Sequence, residues 1–263
     1  MIKINSIKLK SEKLVKLTKG VVDNKTYSQI AIVHHSDSIE GSTLTEGDTF
    51  LLLEQGLTPA NKPIEHTDMA IDHFNAVKYI YQLAINKTPL DKHIVQKISS
   101  LLLTRTGSII SNVLGTWDET KGEFRKGTVR AGVTTFPAYN KIEKMVTELC
   151  NYINKTITKT DYETIQNLAF DAHFNMVSIH PFSDGNGRLS RLIMNYIQFY
   201  HNIPPSVVFK EDKSKYYEVL VETRKLENIK IFRTFMYNQT DKYLTKQIND
   251  ITQKKGKGFT MFF

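Results

Sequence analysis

Residues 180–191, HPFSDGNGRLSR, form a turn-rich segment between two helical stretches, and this arrangement constrains the fold more than any other feature. Before the segment, apolar or small residues recur at gaps of three and four, which predicts one buried helix face: Tyr162, Ile165, Ala169, Ala172, Met176 and Ile179. Thr160 and Glu163 fit a capping box at the start of that helix, and Pro181 predicts its end at His180. After the segment, a second stripe has the same spacing: Leu189, Leu192, Ile193, Tyr196, Ile197 and Tyr200. We therefore predict two helices joined by a tight turn.

The turn has the composition of an anion-binding site. Gly185 and Gly187 allow a ligand to approach the backbone closely, and the helix that follows presents free N–H groups and a favourable dipole. Arg188 and Arg191 add cationic donors that suit phosphate oxygens. The pattern predicts a site that binds a polyphosphate.

Two further side chains in the segment can perform chemistry beside a bound phosphate. Asp184 supplies a hard oxygen ligand of the kind that Mg²⁺ shared with phosphates requires. His180 is the group nearby that can accept a proton near neutral pH. The residue types thus favour chemistry on a bound polyphosphate over a plain helical hairpin with surface arginines.

The segment resembles the Fic family motif, H-x-F-x-[DE]-G-N-G-R-x-x-R, and matches every specified position. The resemblance implies an all-α Fic fold with a small β-hairpin, and transfer of AMP from ATP to a hydroxyl side chain (Tyr, Thr or Ser) of a protein, with release of pyrophosphate. It implies that His180 is the catalytic base and that Asp184 holds Mg²⁺. Phe182 is expected to anchor the turn in the core. The resemblance assigns nucleotide binding to these turn residues: Gly185, Asn186, Gly187, Arg188 and, for the γ-phosphate, Arg191.

Two other stretches extend the resemblance. The segment GEFRKGTVRAGVTTFPAY resembles the family's G-x-[FY]-R sequence followed by a flap, a hairpin that holds the backbone of the target protein. The predicted flap comprises Thr128, Val129, Arg130, Ala131, Gly132, Val133, Thr134, Thr135 and Phe136. The segment SKYYEVL resembles a later Fic helix whose tyrosine pair lies near the adenine, which makes Tyr216 and Tyr217 candidates for nucleotide binding. The family's nearby Asn is missing from VETRKLEN, where Arg224 is a candidate replacement.

An N-terminal segment resembles the inhibitory motif of Fic proteins, [ST]-x-x-x-E-[GN]. Ser36 and Glu40 are four residues apart and share one helix face, and Gly41 suits the position just past a helix end. The resemblance implies that Glu40 pairs with Arg191 and keeps ATP in an unreactive pose. It places the chain in the class with an N-terminal inhibitory helix, predicted at about residues 26–41.

Composition bounds the rest of the prediction. The chain has 263 residues with 40% hydrophobic content, enough for a full core. We predict an N-terminal region at 1–86, a Fic core domain at 87–245 and a basic tail at 246–263. A single cysteine, Cys150, fits a reducing compartment, and no leader-like or membrane-spanning apolar run is visible, so a cytoplasmic location without membrane association is expected. Assembly into a homo-oligomer stays open.

Outside the motif, the pattern predicts mostly helices. A short strand is expected within residues 1–25, and one hairpin lies in KGTVRAGVTTF. Predicted helices cover these ranges: 26–40, a short helix ending at Gly56, 65–86, 91–104, 141–153, the two motif helices, and 213 to about 252.

Alternative functions follow from the same residues. Fic relatives also remove AMP from modified proteins, with the inhibitory Glu positioning a water, and others transfer a different phosphorylated group. A net charge of +8 also allows a nucleic-acid-binding regulator. The basic residues form no aromatic-laced stripe, however, so the pattern favours the enzyme.

Overall fold

The computed structural model describes residues 3–20, 24–131 and 134–256. Within these residues the chain forms ten α-helices and two small antiparallel hairpins. The helices are α1 (Ile4–Thr18), α2 (Asn24–Glu40), α3 (Glu46–Gln55), α4 (Ile64–Ile85), α5 (Lys92–Leu102), α6 (Ile142–Thr156), α7 (Tyr162–Ile179), α8 (Asn186–Tyr200), α9 (Lys213–Lys225) and α10 (Ile229–Gly256). The strands are β1 (Ile109–Asn112), β2 (Gly115–Asp118), β3 (Arg130–Ala131) and β4 (Thr134–Thr135).

Helix α8 lies at the centre of the core. Its side chains are buried almost all round, and it packs against α7, α4 and α5. A helix that is enclosed on every side must satisfy its polar groups internally. Asn195 and Gln198 do so by bonding to each other and to Ser206. The first turn of α8 is therefore anchored in the buried core of the molecule.

The prediction of a strand near the N-terminus was wrong, because residues 4–18 form α1. Ile7, Ser11 and Leu14 are its buried residues, and their spacing is that of a helix face. The helix packs against α10, which brings both ends of the described chain together. The apparent alternation in IKINSIKL came from a few lysines between apolar residues and did not persist long enough to define a strand.

The start of α7 also differs from the prediction. The N-cap is Asp161, whose carboxylate accepts a hydrogen bond from the Thr164 N–H (2.8 Å). Thr160 and Glu163 therefore do not form the expected capping box. An aspartate is as good an N-cap as threonine, and the one-residue shift leaves the predicted buried face unchanged.

A hairpin is present at the position predicted for the flap. Strands β3 and β4 pair Arg130 with Thr135 and Ala131 with Thr134. Gly132 and Val133, also predicted in the flap, lie outside the described residues. The sequence did not predict the second hairpin, in which β1 and β2 pair from Ile109–Asp118 to Asn112–Gly115.

The C-terminal end of the described chain is helical. Helix α10 continues to Gly256, so the predicted tail at 246–263 begins inside this helix, and residues 257–263 lie outside the described residues. In the described part of the chain, no helix combines the length and the apolar character that crossing a membrane requires.

Candidate active site

The turn between α7 and α8 is fixed by hydrogen bonds from its own residues. His180 ends α7 in a left-handed conformation (φ 52°, ψ 61°), and its N–H donates to the Met176 carbonyl oxygen (3.1 Å). The Asn186 side chain accepts from the Phe182 N–H (3.0 Å) and donates to the Phe182 carbonyl (2.8 Å). The Phe182 ring is buried beside Phe124, as expected of a core anchor. Asn186 thus shapes the turn through its side chain, and no side chain caps the first N–H groups of α8.

The start of α8 has the features of an anion site. Gly185 occupies the N-cap position with φ 74° and provides no side chain to cap the first turn. Arg188 is 2% exposed, and its guanidinium donates to the Leu102 carbonyl oxygen and to Asp184 (both 3.3 Å). Its Nε is buried with no partner in the described part of the chain. A buried cationic donor without a partner beside an uncapped helix start is suited to a phosphate.

We call this anion site the cradle: it consists of the N–H groups in the first turn of α8 together with Arg188 and Arg191. Asp184 lies at its rim. Its side chain is 70% exposed and one oxygen is 3.3 Å from the Arg188 guanidinium. No group of three or more His, Cys, Asp or Glu side chains within the described residues could hold a metal by itself. One carboxylate beside a phosphate cradle fits Mg²⁺, which is commonly bound by one or two carboxylates together with phosphates of the substrate. The residues present therefore fit a metal that is shared with a nucleotide.

His180 is held as a neutral imidazole. Its ring stacks on Phe136 with centroids 3.8 Å apart, and Nδ1 lies 3.3 Å from the Val177 carbonyl oxygen. Burial, together with the charges of Arg125 and Arg224, lowers the pKa of His180 to about 4. With the proton on Nδ1 donated to Val177, the lone pair on Nε2 is available to accept another proton. The ring is therefore unprotonated at neutral pH and has a free nitrogen that can accept a proton.

The predicted inhibitory residues contact the cradle directly. The Arg191 guanidinium donates to the Ser36 hydroxyl (2.7 Å), the Ser36 carbonyl oxygen (3.2 Å) and Glu40 Oε1 (2.5 Å). A Cβ added to Gly187 would lie 2.4 Å from the same Glu40 oxygen. The Glu40 carboxylate thus occupies the position of an anion at the start of α8.

The electrostatics of this pair favour the charged forms. Burial alone would raise the pKa of Glu40, but the charge and hydrogen bond of Arg191 outweigh it and hold the pKa below its ordinary value. Burial opposes the charge of Arg191 as well, and Glu40 raises its pKa above the usual range. The Arg191 side chain is 3% exposed and that of Glu40 is 29% exposed, so the buried guanidinium depends on the carboxylate at the surface to balance its charge.

The tyrosine pair is divided between the core and the surface. Tyr216 is 1% exposed, and its hydroxyl lies 2.9 Å from His173 Nε2. Tyr217 is 43% exposed and its ring is 5.3 Å from that of Tyr216. The charges of Glu40 and Arg191 act on both phenol groups, so the pair lies near the cradle. Tyr217 is the member of the pair with an accessible ring.

Sequence reasoning missed two residues that hold the site together. Arg125, the arginine of the quoted G-x-[FY]-R segment, bonds to the carbonyl oxygen of His180 (2.8 Å). Trp117, the single tryptophan of the chain, donates from Nε1 to the hydroxyl of Ser183 in the turn between α7 and α8 (2.8 Å). The signal for Arg125 was present in the motif, whereas nothing near Trp117 in the sequence links it to Ser183.

Comparisons with known proteins agree with this arrangement. The model of the Fic/DOC family matches residues 89–198. Proteins called protein adenylyltransferase Fic from Drosophila sechellia and Drosophila melanogaster are each 32% identical over 216 residues, which is 81% of this chain and 40% of theirs. The chain thus spans well under half the length of these curated relatives.

Solved structures show the same fold. A Fic domain containing signaling protein from Bacteroides thetaiotaomicron superposes with a TM-score of 0.80 at 24% identity, covering 98% of this chain and 99% of that one. Fic-1 from C. elegans (residues 134–508) superposes with a TM-score of 0.71 at 20% identity, covering 93% of this chain and 70% of that one. The predicted helical Fic fold with a small hairpin is confirmed, and residues 89–198 of the chain form a domain of the Fic/DOC family.

Proposed function

We propose that this protein transfers AMP from ATP to a hydroxyl side chain of a protein, and that Glu40 restrains the reaction. The observation that carries the proposal is the position of neutral His180 beside an uncapped helix start with two buried arginines. This chain spans only part of the length of its adenylyltransferase relatives. The proposed activity is therefore argued from the geometry of the site and not from those relatives.

The proposed reaction needs a base and a polyphosphate site on adjacent positions. His180 Nε2 accepts the proton of the target hydroxyl while the hydroxyl oxygen forms a bond to the α-phosphorus. The bond between that phosphorus and the bridging oxygen to the β-phosphate breaks, and pyrophosphate leaves. Arg188 and the N–H groups at the start of α8 stabilise the charge that develops on the leaving group. Mg²⁺ held by Asp184 and the phosphates would neutralise part of the same charge.

The flap is proposed to hold the target. Strands β3 and β4 form a two-stranded hairpin, and the Arg130 and Thr135 side chains at one of its register pairs are exposed. An exposed strand edge can pair with an extended segment of another protein without reading its side chains. Phe136, which follows β4, stacks on the His180 ring and so brings this edge close to the base.

Glu40 is proposed to restrain the enzyme by occupying Arg191. While Arg191 bonds to Ser36 and Glu40, its donors are not available to the γ-phosphate, and the carboxylate lies against Gly187 where that phosphate would bind. A bound carboxylate would also repel the terminal phosphate. ATP could then enter only in a pose whose α-phosphorus is not aligned with the target hydroxyl.

Removal of AMP from a modified protein is a second candidate for the same site. Arg191 keeps the Glu40 carboxylate ionised within the cradle, and an ionised carboxylate there can position a water for attack on a phosphodiester. If this reaction occurred, mass spectrometry would show that a protein already carrying AMP loses the mass of that group. Transfer would add the same mass.

The labelling position distinguishes the proposed chemistry from phosphate transfer. The protein is incubated with Mg²⁺ and ATP that carries a radiolabel on either the α- or the γ-phosphate, and labelled protein is separated by electrophoresis. AMP transfer predicts label in protein from the α-position only, together with pyrophosphate in solution. The Glu40→Gly variant is used because it lacks the proposed restraint and should therefore give the strongest labelling. The control is the double variant that also carries His180→Ala. Label from the γ-position, or equal labelling in the His180→Ala control, would overturn the proposal.

A further inference from the structure

Arg125 is a buried cation without a carboxylate partner. Its side chain is 1% exposed, and none of the ion pairs in the described part of the chain includes it. Burial lowers its pKa from the ordinary arginine value. Removing a guanidinium from water is expensive, and a hydrophobic residue of similar size would fill a core position at lower cost. Burial of this arginine is therefore not explained by core packing alone, and its hydrogen bonds are what distinguish it from an apolar residue.

The donors of Arg125 all reach main-chain carbonyl oxygens. Nε donates to His180 (2.8 Å), and one terminal nitrogen donates to Pro137 (2.7 Å). The other terminal nitrogen donates to Gly127. The Arg125 main-chain N–H donates in addition to the carbonyl oxygen of Pro181 (3.1 Å). One residue thus bonds to two successive carbonyls of the catalytic turn and to two segments outside it.

Those two segments are the ends of the flap. Gly127 immediately precedes the predicted flap residues, and Pro137 immediately follows them. The intervening chain closes on itself where the Phe136 N–H donates to the Val129 carbonyl oxygen (3.2 Å). Arg125 therefore fixes the base of the hairpin at both sides, as a planar group with several donors can.

The catalytic turn needs such support. His180 has a positive φ of 52°, a conformation that costs a non-glycine residue about 1–2 kcal/mol. Conformations of this kind persist at functional sites only where the surroundings hold them. Arg125 bonds to the carbonyl oxygen of the His180–Pro181 peptide and to that of the next peptide, Pro181–Phe182, so it holds the backbone from which the imidazole extends.

We propose that Arg125 is a positioning residue that fixes the flap and the His180 imidazole relative to each other. A target backbone on the flap would thereby present its hydroxyl at hydrogen-bond distance from Nε2. The inference rests on the proposed function. It assigns Arg125 no contact with substrate, since its donors are satisfied by carbonyl oxygens and its side chain is buried.

The test compares three variants in the Glu40→Gly background, so that restraint by Glu40 does not mask the rate. Arg125→Met keeps the side-chain length but removes every donor. Arg125→Lys keeps the charge and some donors, and it provides a folded variant if the methionine protein does not fold. Arg233→Met is the matched control, because Arg233 forms a two-bond ion pair with Asp171, and its loss destabilises the protein without touching the turn or flap.

Misplacement of reacting groups by about 1 Å can cost roughly 100-fold, so we expect a loss of that order in AMP incorporation by Arg125→Met. Binding of ATP with Mg²⁺, measured by calorimetry, should stay within about threefold of the parent, since the cradle residues are elsewhere. Arg125→Lys should recover part of the rate. Arg233→Met should lower the melting temperature and keep the rate within about twofold.

A spectroscopic measurement tests the same inference without activity. In protein with ¹³C-labelled histidine rings, the His180 resonance is assigned by its loss in His180→Gln. Loss of the Arg125 charge and of the turn's support should make His180 titrate at a higher pH in Arg125→Met than in the parent. An unchanged rate and an unchanged His180 titration in Arg125→Met would overturn the inference. Absence of AMP transfer in the Glu40→Gly parent, with the titration shifted as expected, would overturn the proposed function and leave the positioning role intact.

Discussion

At the scale of single residues, His180 has the most distinct expected effect. In the proposed reaction its imidazole is the base, and it supplies no donor to the phosphates. His180→Ala is expected to reduce AMP transfer by roughly 10²–10⁴-fold, the usual contribution of a general base. Nucleotide binding should survive, which equilibrium binding of ATP with Mg²⁺ measures. A transfer rate within about threefold of the parent would exclude this role.

Asp184 has a separate effect that depends on the metal. ATP with Mg²⁺ should raise the melting temperature, because a ligand that binds only the folded state stabilises it. Asp184→Ala should remove the part of the shift that depends on Mg²⁺ and leave the part seen in EDTA. Asp241→Ala is a control, since this partly exposed carboxylate bonds to Lys10 on α1. A shift for the wild-type protein that is equal in EDTA and in Mg²⁺ would argue against Asp184 as the metal ligand.

Much of the candidate site could be predicted from residue types in the sequence, whereas the rest depends on tertiary contacts that the sequence does not show. The turn could be predicted because glycines, two arginines, an aspartate and a histidine each suit one task in phosphate chemistry. Tyr216 and Tyr217 are adjacent residues of the same type. The sequence therefore does not predict which ring is buried against His173 and which is exposed. Arg125 could be recognised as part of the G-x-[FY]-R sequence. Its hydrogen-bond partners could not be predicted, because they lie up to 56 residues away along the chain, at Pro181.

At the scale of elements, the start of α7 gives a direct test of the observed cap. Asp161→Ala should lower the free energy of unfolding by about 1 kcal/mol, because the Thr164 N–H loses its acceptor. Thr160→Ala, one residue earlier, should change it by no more than a few tenths of a kcal/mol. Urea unfolding of the two variants measures both values. A larger loss for Thr160→Ala than for Asp161→Ala would favour the capping box expected from the sequence.

Element type was predictable where the periodicity was long. Helices α4, α7 and α8 repeat an apolar face over many turns, and their positions agree with the predictions within a few residues. Helix α1 was misread because its lysines imitate a short alternation, and only its packing on α10 selects the helix. The β1–β2 hairpin was missed because four-residue strands give almost no pattern, and Trp117 bonds to a residue distant in sequence.

At the scale of the whole molecule, acid should destabilise the fold. Burial lowers the pKa values of several histidines, to about 4 for His35 and His180: the set is His34, His35, His173, His180 and His201. The unfolded chain binds protons at these groups first, so the stability they contribute is present above pH 6.5 and lost as the pH falls towards the folded values. Carboxylates with lowered pKa values, such as Glu40 and Glu46, add a loss in the same direction below about pH 4.5.

We therefore expect the melting temperature to fall by roughly 5 °C between pH 7.5 and 5.5, before the carboxylates titrate. Differential scanning calorimetry in buffers of equal ionic strength measures this change. A melting temperature constant within about one degree over that range would show that the buried histidines are not held neutral.

The proposed restraint by Glu40 also belongs to the whole molecule, because the contact joins α2 near the N-terminus to α8 in the core. The contact that carries it is the bond between Glu40 and Arg191, supported by Ser36. Replacement of Glu40 by glycine costs at most about 1 kcal/mol in helix propensity, since the residue lies at the end of α2, but it also leaves the buried Arg191 charge without its carboxylate partner and so lowers the melting temperature. It frees Arg191 for the γ-phosphate, and a charge-assisted contact made only in the reactive pose can contribute more than 1.4 kcal/mol, or about tenfold in rate.

The most direct test of the account is the rate at which AMP is added to the protein itself, measured by intact-mass spectrometry with Mg²⁺ and ATP for wild type and Glu40→Gly. The account predicts that Glu40→Gly gains AMP more than about tenfold faster, and that the double variant Glu40→Gly with Arg191→Ala falls back towards the wild-type rate. A Glu40→Gly protein that is folded, binds ATP and gains AMP no faster than wild type would contradict it.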